Sequence, residues 1–127
     1  MPGAIYVAVG GAIGAVGRYL ASLAVVDATG AVHPPLGTLV VNVLGCLAVG
    51  TVAGLADVRG FLSDEVRLFL LVGVLGGFTT FSSFGLETFE LMRRGSSFLA
   101  LTHVAVHLIA GLGAVALAYR AVARLAP

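Results

Sequence analysis

At 127 residues, with 59% hydrophobic and only 10% charged side chains and a mean hydropathy of +1.09, the chain lies far outside the balance of a water-soluble domain. Its solvent is lipid. A net charge of +1 without any basic run excludes nucleic-acid binding, and so short a chain leaves no room for a soluble catalytic domain beside its apolar stretches.

The first apolar stretch, Ala4 to Val26, is long enough to cross ~30 Å of hydrocarbon as a helix. Met1-Pro2-Gly3 has no basic character, and the stretch exceeds a signal-peptide core, so it is expected to remain as a helix. Arg18 lies in its second half, where a charge calls for a carbonyl partner, access to water or a function. A water-filled vestibule is the expectation.

The second stretch, Leu36 to Ala56, carries Asn42, whose amide must find partners at that depth, either as donor to an anion or as glue to another helix. Cys46, the single cysteine, has no intrachain partner and reads as a small packing residue. Small residues recur at helical spacing in Gly10/Gly14, Gly50/Gly54, Gly73/Gly77 and Ala110/Ala114/Ala118, which allows close helix contact. Most of these are expected to pack within one subunit and some against a partner, because four tight helices leave little space for a pore of their own.

The third stretch, Val66 to Met92, would be about 40 Å long as one straight helix, more than the hydrocarbon needs. Its centre reads Gly76-Gly77-Phe78-Thr79-Thr80-Phe81-Ser82-Ser83-Phe84-Gly85, poor in helix formers throughout. A break over 76–80 is expected near the midplane, with Thr79 the central residue, and broken helices at that depth commonly make ion sites. The competing possibility is a straight helix whose hydroxyls bond back to their own carbonyls. Phe81 and Phe84, three apart, share a face with hydroxyls close by, so electropositive ring edges and O–H donors can meet a dehydrated anion without a trapping charge. Lipid-facing packing is the ordinary alternative for two phenylalanines. Glu87 and Glu90 lie towards the end of the stretch and are expected at the interface.

The fourth stretch, Phe98 to Tyr119, presents His103 and His107 four apart, which is metal-ligand spacing. No carboxylate or cysteine accompanies them on that stretch, so pore-facing or packing roles are favoured. Four spans place Arg59, Arg67, Arg120 and Arg124 on one side and Arg93 and Arg94 on the other, a split that leaves single and dual insertion about even. A small proton-coupled multidrug exporter matches in length and hydropathy but needs an embedded carboxylate, which the first helix lacks. No Ser-His or Asp-Asp pair supports an intramembrane hydrolase, so no enzyme is expected.

Three blocks, Gly10-Gly11-Ala12-Ile13-Gly14-Ala15-Val16-Gly17-Arg18-Tyr19, Gly37-Thr38-Leu39-Val40-Val41-Asn42-Val43-Leu44-Gly45 and Gly76 to Phe84, together resemble the Fluc (CrcB) family of fluoride channels. The resemblance implies an all-α integral membrane protein of the cell membrane, one four-helix domain forming a homodimer of oppositely oriented subunits. It implies passive fluoride export, two fluoride pathways and a structural sodium ion held by backbone carbonyls of Gly76 and Thr79 from both copies. By the same match Asn42, Phe81 and Phe84 line the pathway together with the hydroxyls of Thr38, Thr80, Ser82 and Ser83, and Arg18 stands near the vestibule. Ser83 replaces a common threonine, and His103 and His107 stand where relatives often carry tyrosine and serine, which leaves the polar track of the fourth helix open.

Overall fold

The computed structural model describes residues 2–30, 35–60 and 62–125; positions 31–34 and 61 of the two expected loops, the first residue and the side chain of Arg59 lie outside the described residues. All regular structure described is helical, and four spans are long and apolar enough to cross a membrane. α1 covers Pro2–Thr29 and α2 Leu36–Arg59. The third span joins α3 (Asp64–Arg67), a π-helical segment (Leu68–Leu75), α4 (Gly76–Phe78) and α5 (Phe81–Arg93), and α6 runs Ser97–Leu125. The chain is therefore a multi-pass membrane protein.

Local chemistry sets the ends. Gly60 closes α2 in the left-handed region (φ 58°), its N–H donating to Ala56 O, a conformation that side chains with a Cβ disfavour. Ser63 caps α3 by accepting from Val66 N.

The helices pair in two sets. α1 lies along the π-helical segment and α4, and α2 lies along α6, with α5 also against α6. Glycines decide both contacts. A Cβ at Gly10 would stand 2.6 Å from Phe69 O, one at Gly77 2.6 Å from Gly11 O, and one at Gly14 would overlap Val74 O. Gly50 meets Val115 and Gly54 meets Val122 and Tyr119 in the same way. Contacts advance in step along both partners, Gly3 to Leu68, Gly10 to Gly73 and Gly14 to Phe78 in the first set, Gly50 to Val115 and Gly54 to Tyr119 in the second. First and third spans thus run parallel, as do second and fourth, which is the alternating path of four consecutive crossings. The named glycine rows are spent within the subunit.

Burial is inverted relative to a soluble protein. Val41, Ala100 and Ala114 are the buried apolar side chains among the described residues, whereas Ile109, Leu112 and Leu117 are about two-thirds to three-quarters exposed. Such a surface is stable only against lipid or another chain.

Candidate functional site

The third span is broken where the glycine, threonine and serine run predicts. Thr79 (φ −83°, ψ 156°) and Thr80 (φ −145°, ψ 117°) are extended between α4 and α5, which disposes of the straight-helix alternative. The break falls at the centre of the span Asp64–Arg93. Gly45 makes room for it, since any Cβ there would overlap Thr79 Cγ2.

Inside a bilayer every backbone group at such a break needs a partner, and side chains supply most of them. Asn42 bonds both backbone groups of Thr80: Thr80 N–H donates to Asn42 Oδ1 at 2.8 Å, and Asn42 Nδ2 donates to Thr80 O at 3.0 Å. Arg18, half-buried on α1, donates through Nε to Gly77 O at 3.2 Å. Of the options that the sequence leaves for Arg18, a carbonyl partner is present. Thr80 caps α5: its Oγ1 accepts from Ser83 N at 3.2 Å, donates to Ser83 Oγ at 3.1 Å and lies 3.3 Å from Ser82 Oγ. Thr79 Oγ1 bonds back to Leu75 O.

The carbonyls of residues 76–79 lose their helical donors at the break, and for two of them the rerouted N–H can be followed. Thr80 N–H, which a continuous helix would give to Gly76 O, goes to Asn42; Ser83 N–H, which would go to Thr79 O, goes to Thr80 Oγ1. Gly76 and Thr79 are thus released together, as two oxygen ligands suited to a hard cation.

On the α6 side of the break a cavity of about 320 Å³ is lined by Asn42, Cys46, Val49, Thr79, Thr80, Phe81, Phe84, His107, Leu108, Gly111 and Val115. It brings Asn42, Thr80, Phe81, Phe84 and His107 together. Phe81 and Phe84 are tilted against each other with ring centroids 5.5 Å apart, and Phe81 is 81% exposed in the single chain. Donor bookkeeping separates used from free groups. Asn42 Nδ2 spends one of its two protons on Thr80 O, and Ser83 Oγ accepts from Thr80, so the second amide proton and the Ser83 hydroxyl proton are the ones left to offer.

Arg18 and Gly76 are not part of this lining. Thr38 belongs to a second cluster one turn further along: Thr38 Oγ1 donates to Glu87 Oε1, and Glu87 Oε2 faces His103 Nε2 at 3.6 Å. Phe84 joins the two clusters, its ring centroid 5.4 Å from that of His103 and 4.7 Å from that of His107. The histidine rings meet edge to face at 4.3 Å, and His107 Nδ1 lies 3.0 Å from His103 O. A carbonyl only accepts, so Nδ1 carries the proton in that bond and neutral His107 presents a bare lone pair at Nε2. Among the described residues no group of three or more His, Cys, Asp or Glu is arranged to hold a metal ion.

Glu87, expected at the interface, is a partly buried member of this cluster, bonded to Thr38 in the first turn of α2. Its spacing carried the signal: Glu87 follows Ser83 by four, Asn42 follows Thr38 by four and His107 follows His103 by four, so each of three helices carries a polar pair on one face.

The family described as CrcB-like protein, Camphor Resistance (CrcB), matches residues 5–119. A protein of Methylobacillus flagellatus named fluoride-specific ion channel FluC is 44% identical over 106 residues, covering 84% of this chain and 83% of its own. Proteins of the same name are 42% identical over 113 residues in Azobacteroides pseudotrichonymphae (89% and 90% covered) and 51% identical over 92 residues in a Roseiflexus species (72% and 73% covered). With nearly the whole chain matched, four apolar spans and a polar break at the centre of the third, the chain belongs to the CrcB family.

Proposed function

We propose that the chain is a fluoride-selective channel of the cell membrane, exporting cytoplasmic fluoride passively and so conferring fluoride resistance. The observation that carries the reading is the cavity in which Asn42, Thr80, Phe81 and Phe84 meet at the helix break. Relatives named for fluoride transport support it at 42–51% identity. A fluoride ion leaving water needs donors and gets them here without a full positive charge: the spare Asn42 amide proton, the Ser83 hydroxyl and the ring edges of Phe81 and Phe84. Ser82 and Thr38 stand to either side with their hydroxyl protons engaged by Thr80 and Glu87, and would serve the ion only by exchanging those bonds. No bond is made or broken in such passage, so the protein is not an enzyme. Family membership removes the multidrug-exporter alternative, even though Glu87 would supply its embedded acid.

The working unit in this reading is a homodimer of oppositely inserted copies. An 81% exposed phenylalanine beside the break and a surface with few buried apolar residues support a partner. The residues fit a structural sodium ion, since Gly76 and Thr79 each have a carbonyl freed from the helical ladder. Those two carbonyls would hold it, and bound sodium would supply the positive charge that satisfies them in a medium without water. Arg18 fixes the α4 end through Gly77 O.

The test is efflux of fluoride and of chloride from liposomes containing the purified protein. Fluoride efflux well above chloride is expected; equal leakage of both ions, or of neither, defeats the reading.

A further inference from the structure

Glu87 is a carboxyl within the third span that anion passage as described leaves unused, and its neighbours constrain its charge. Thr38 Oγ1 donates to Oε1, so a proton on this carboxyl sits on Oε2. Oε2 stands 3.6 Å from His103 Nε2, and both atoms are buried without a hydrogen-bond partner among the described residues. The His103 ring stacks on Phe84, so the pair is one ring away from the cavity. Other titratable or charged groups nearby are His107 on α6, and Glu90 one turn along α5, which lies 3.9 Å from Arg94. From α2 come Thr38 and Asn42, neither of which titrates.

Two charge states are open to the pair. A carboxylate facing neutral imidazole has net charge −1. One more proton from the bath makes the pair neutral, either as a carboxyl donating Oε2–H to Nε2 or as a carboxylate facing imidazolium, and the two neutral forms are one macroscopic state. A lone negative charge inside a span is unfavourable. Beside Phe84 it would also repel the permeating anion through a medium that salt screens poorly.

We propose that Glu87 and His103 form a proton-binding site, and that one bound proton, which neutralises the pair, is required for an anion to pass Phe84 and Phe81. The proposal rests on the fluoride-channel reading. It makes the site specific to this chain's histidine at position 103 rather than to the break, and it assigns Glu87 a charge-setting role instead of a contact with the ion.

The experiment is fluoride efflux from liposomes at equal pH inside and outside, from pH 6 to pH 9, with free fluoride corrected for HF and protein-free vesicles subtracted. Wild type is expected to lose about tenfold of its rate or more toward the alkaline end. Glu87→Gln, neutral at every pH, is expected to keep its rate across the range. An infrared difference spectrum of wild type between the same limits should show the carboxyl or imidazole losing a proton, a change that a purely structural Glu87 would not give. A flat wild-type profile with fluoride selectivity intact, the same alkaline loss in Glu87→Gln, or no protonation change in the infrared spectrum of wild type overturns the site. Equal fluoride and chloride leakage at pH 6 instead overturns the channel reading, and the site with it.

Discussion

Replacing Asn42 by aspartate perturbs one side chain that touches both the backbone break and the cavity. The Thr80 N–H bond to Oδ1 survives, but Oδ2 now faces Thr80 O across the distance that Nδ2 spans at 3.0 Å, so a donor to a carbonyl becomes an acceptor against it. Losing that bond and setting two acceptors against each other costs about 1–3 kcal/mol. An ionised carboxylate within the span adds about 2.5–3.5 kcal/mol. Together these amount to ~4–6 kcal/mol, or a loss of about a thousandfold or more at 1.4 kcal/mol per decade. The sign with pH is opposite to that of ordinary acid damage: the protonated acid regains an O–H donor for Thr80 O and sheds its charge, so flux should return as pH falls. The assay is fluoride efflux from liposomes between pH 5 and pH 8, with dimer content followed by chromatography in detergent. Efflux at pH 7.5 within threefold of wild type would show that the Thr80 peptide does not depend on Asn42 and that its spare proton does not serve the ion.

Phe81→Ile and Phe84→Ile keep hydrophobicity but remove the ring edges, worth ~0.5–1.5 kcal/mol each, so each should slow fluoride efflux up to about tenfold; unchanged rates in both return the rings to packing. Gly14→Ala puts a Cβ into Val74 O and 2.8 Å from Phe78 N, backbone atoms that cannot swing aside, and should destabilise by ~1–3 kcal/mol. Thermal unfolding in detergent checks this against Gly113→Ala, where nothing lies within 4 Å and no change is expected. Arg18→Ala strands Gly77 O, costing ~1–3 kcal/mol of stability by the same unfolding measurement, whereas a purely vestibular arginine would change the salt dependence of flux and leave stability alone.

The four spans and the break were legible because they rest on composition: unbroken apolar runs of sufficient length, and a centre of glycine and hydroxyl residues that cannot sustain a helix. The glycine rows were also legible, as was their use within the subunit, since a Cβ at Gly10 or Gly77 would come within 2.6 Å of a neighbouring carbonyl oxygen. What the sequence hid was pairing between spans. Nothing in Asn42 or Thr80 alone announces that one amide takes both backbone groups of one residue, because the two are 38 residues apart. The contacts of Glu87 were hidden for a related reason. Position along its own helix suggested an interface, and its partners Thr38 and His103 stand on two other helices. The π-helical segment was not legible either: an apolar run such as Leu68–Leu75 has the same composition in α and π form, and the glycine contacts with α1 span its length.

One backbone irregularity accounts for both kinds of ligand that the proposed function needs. Breaking a helix between Phe78 and Phe81 takes the helical partners from the carbonyls of residues 76–79 and from the N–H groups of residues 80–83. Of those N–H groups, Thr80 and Ser83 are given oxygen acceptors, by Asn42 and by Thr80 itself. Of the carbonyls, Gly77 O is met by Arg18. Asn42 Nδ2 adds a donor to Thr80 O, the carbonyl with which α5 begins, and keeps a second proton at the wall of the aromatic cavity. In the proposed channel the carbonyls of Gly76 and Thr79 would therefore serve a cation and the spare Asn42 proton an anion, with no formal charge on either set of ligands.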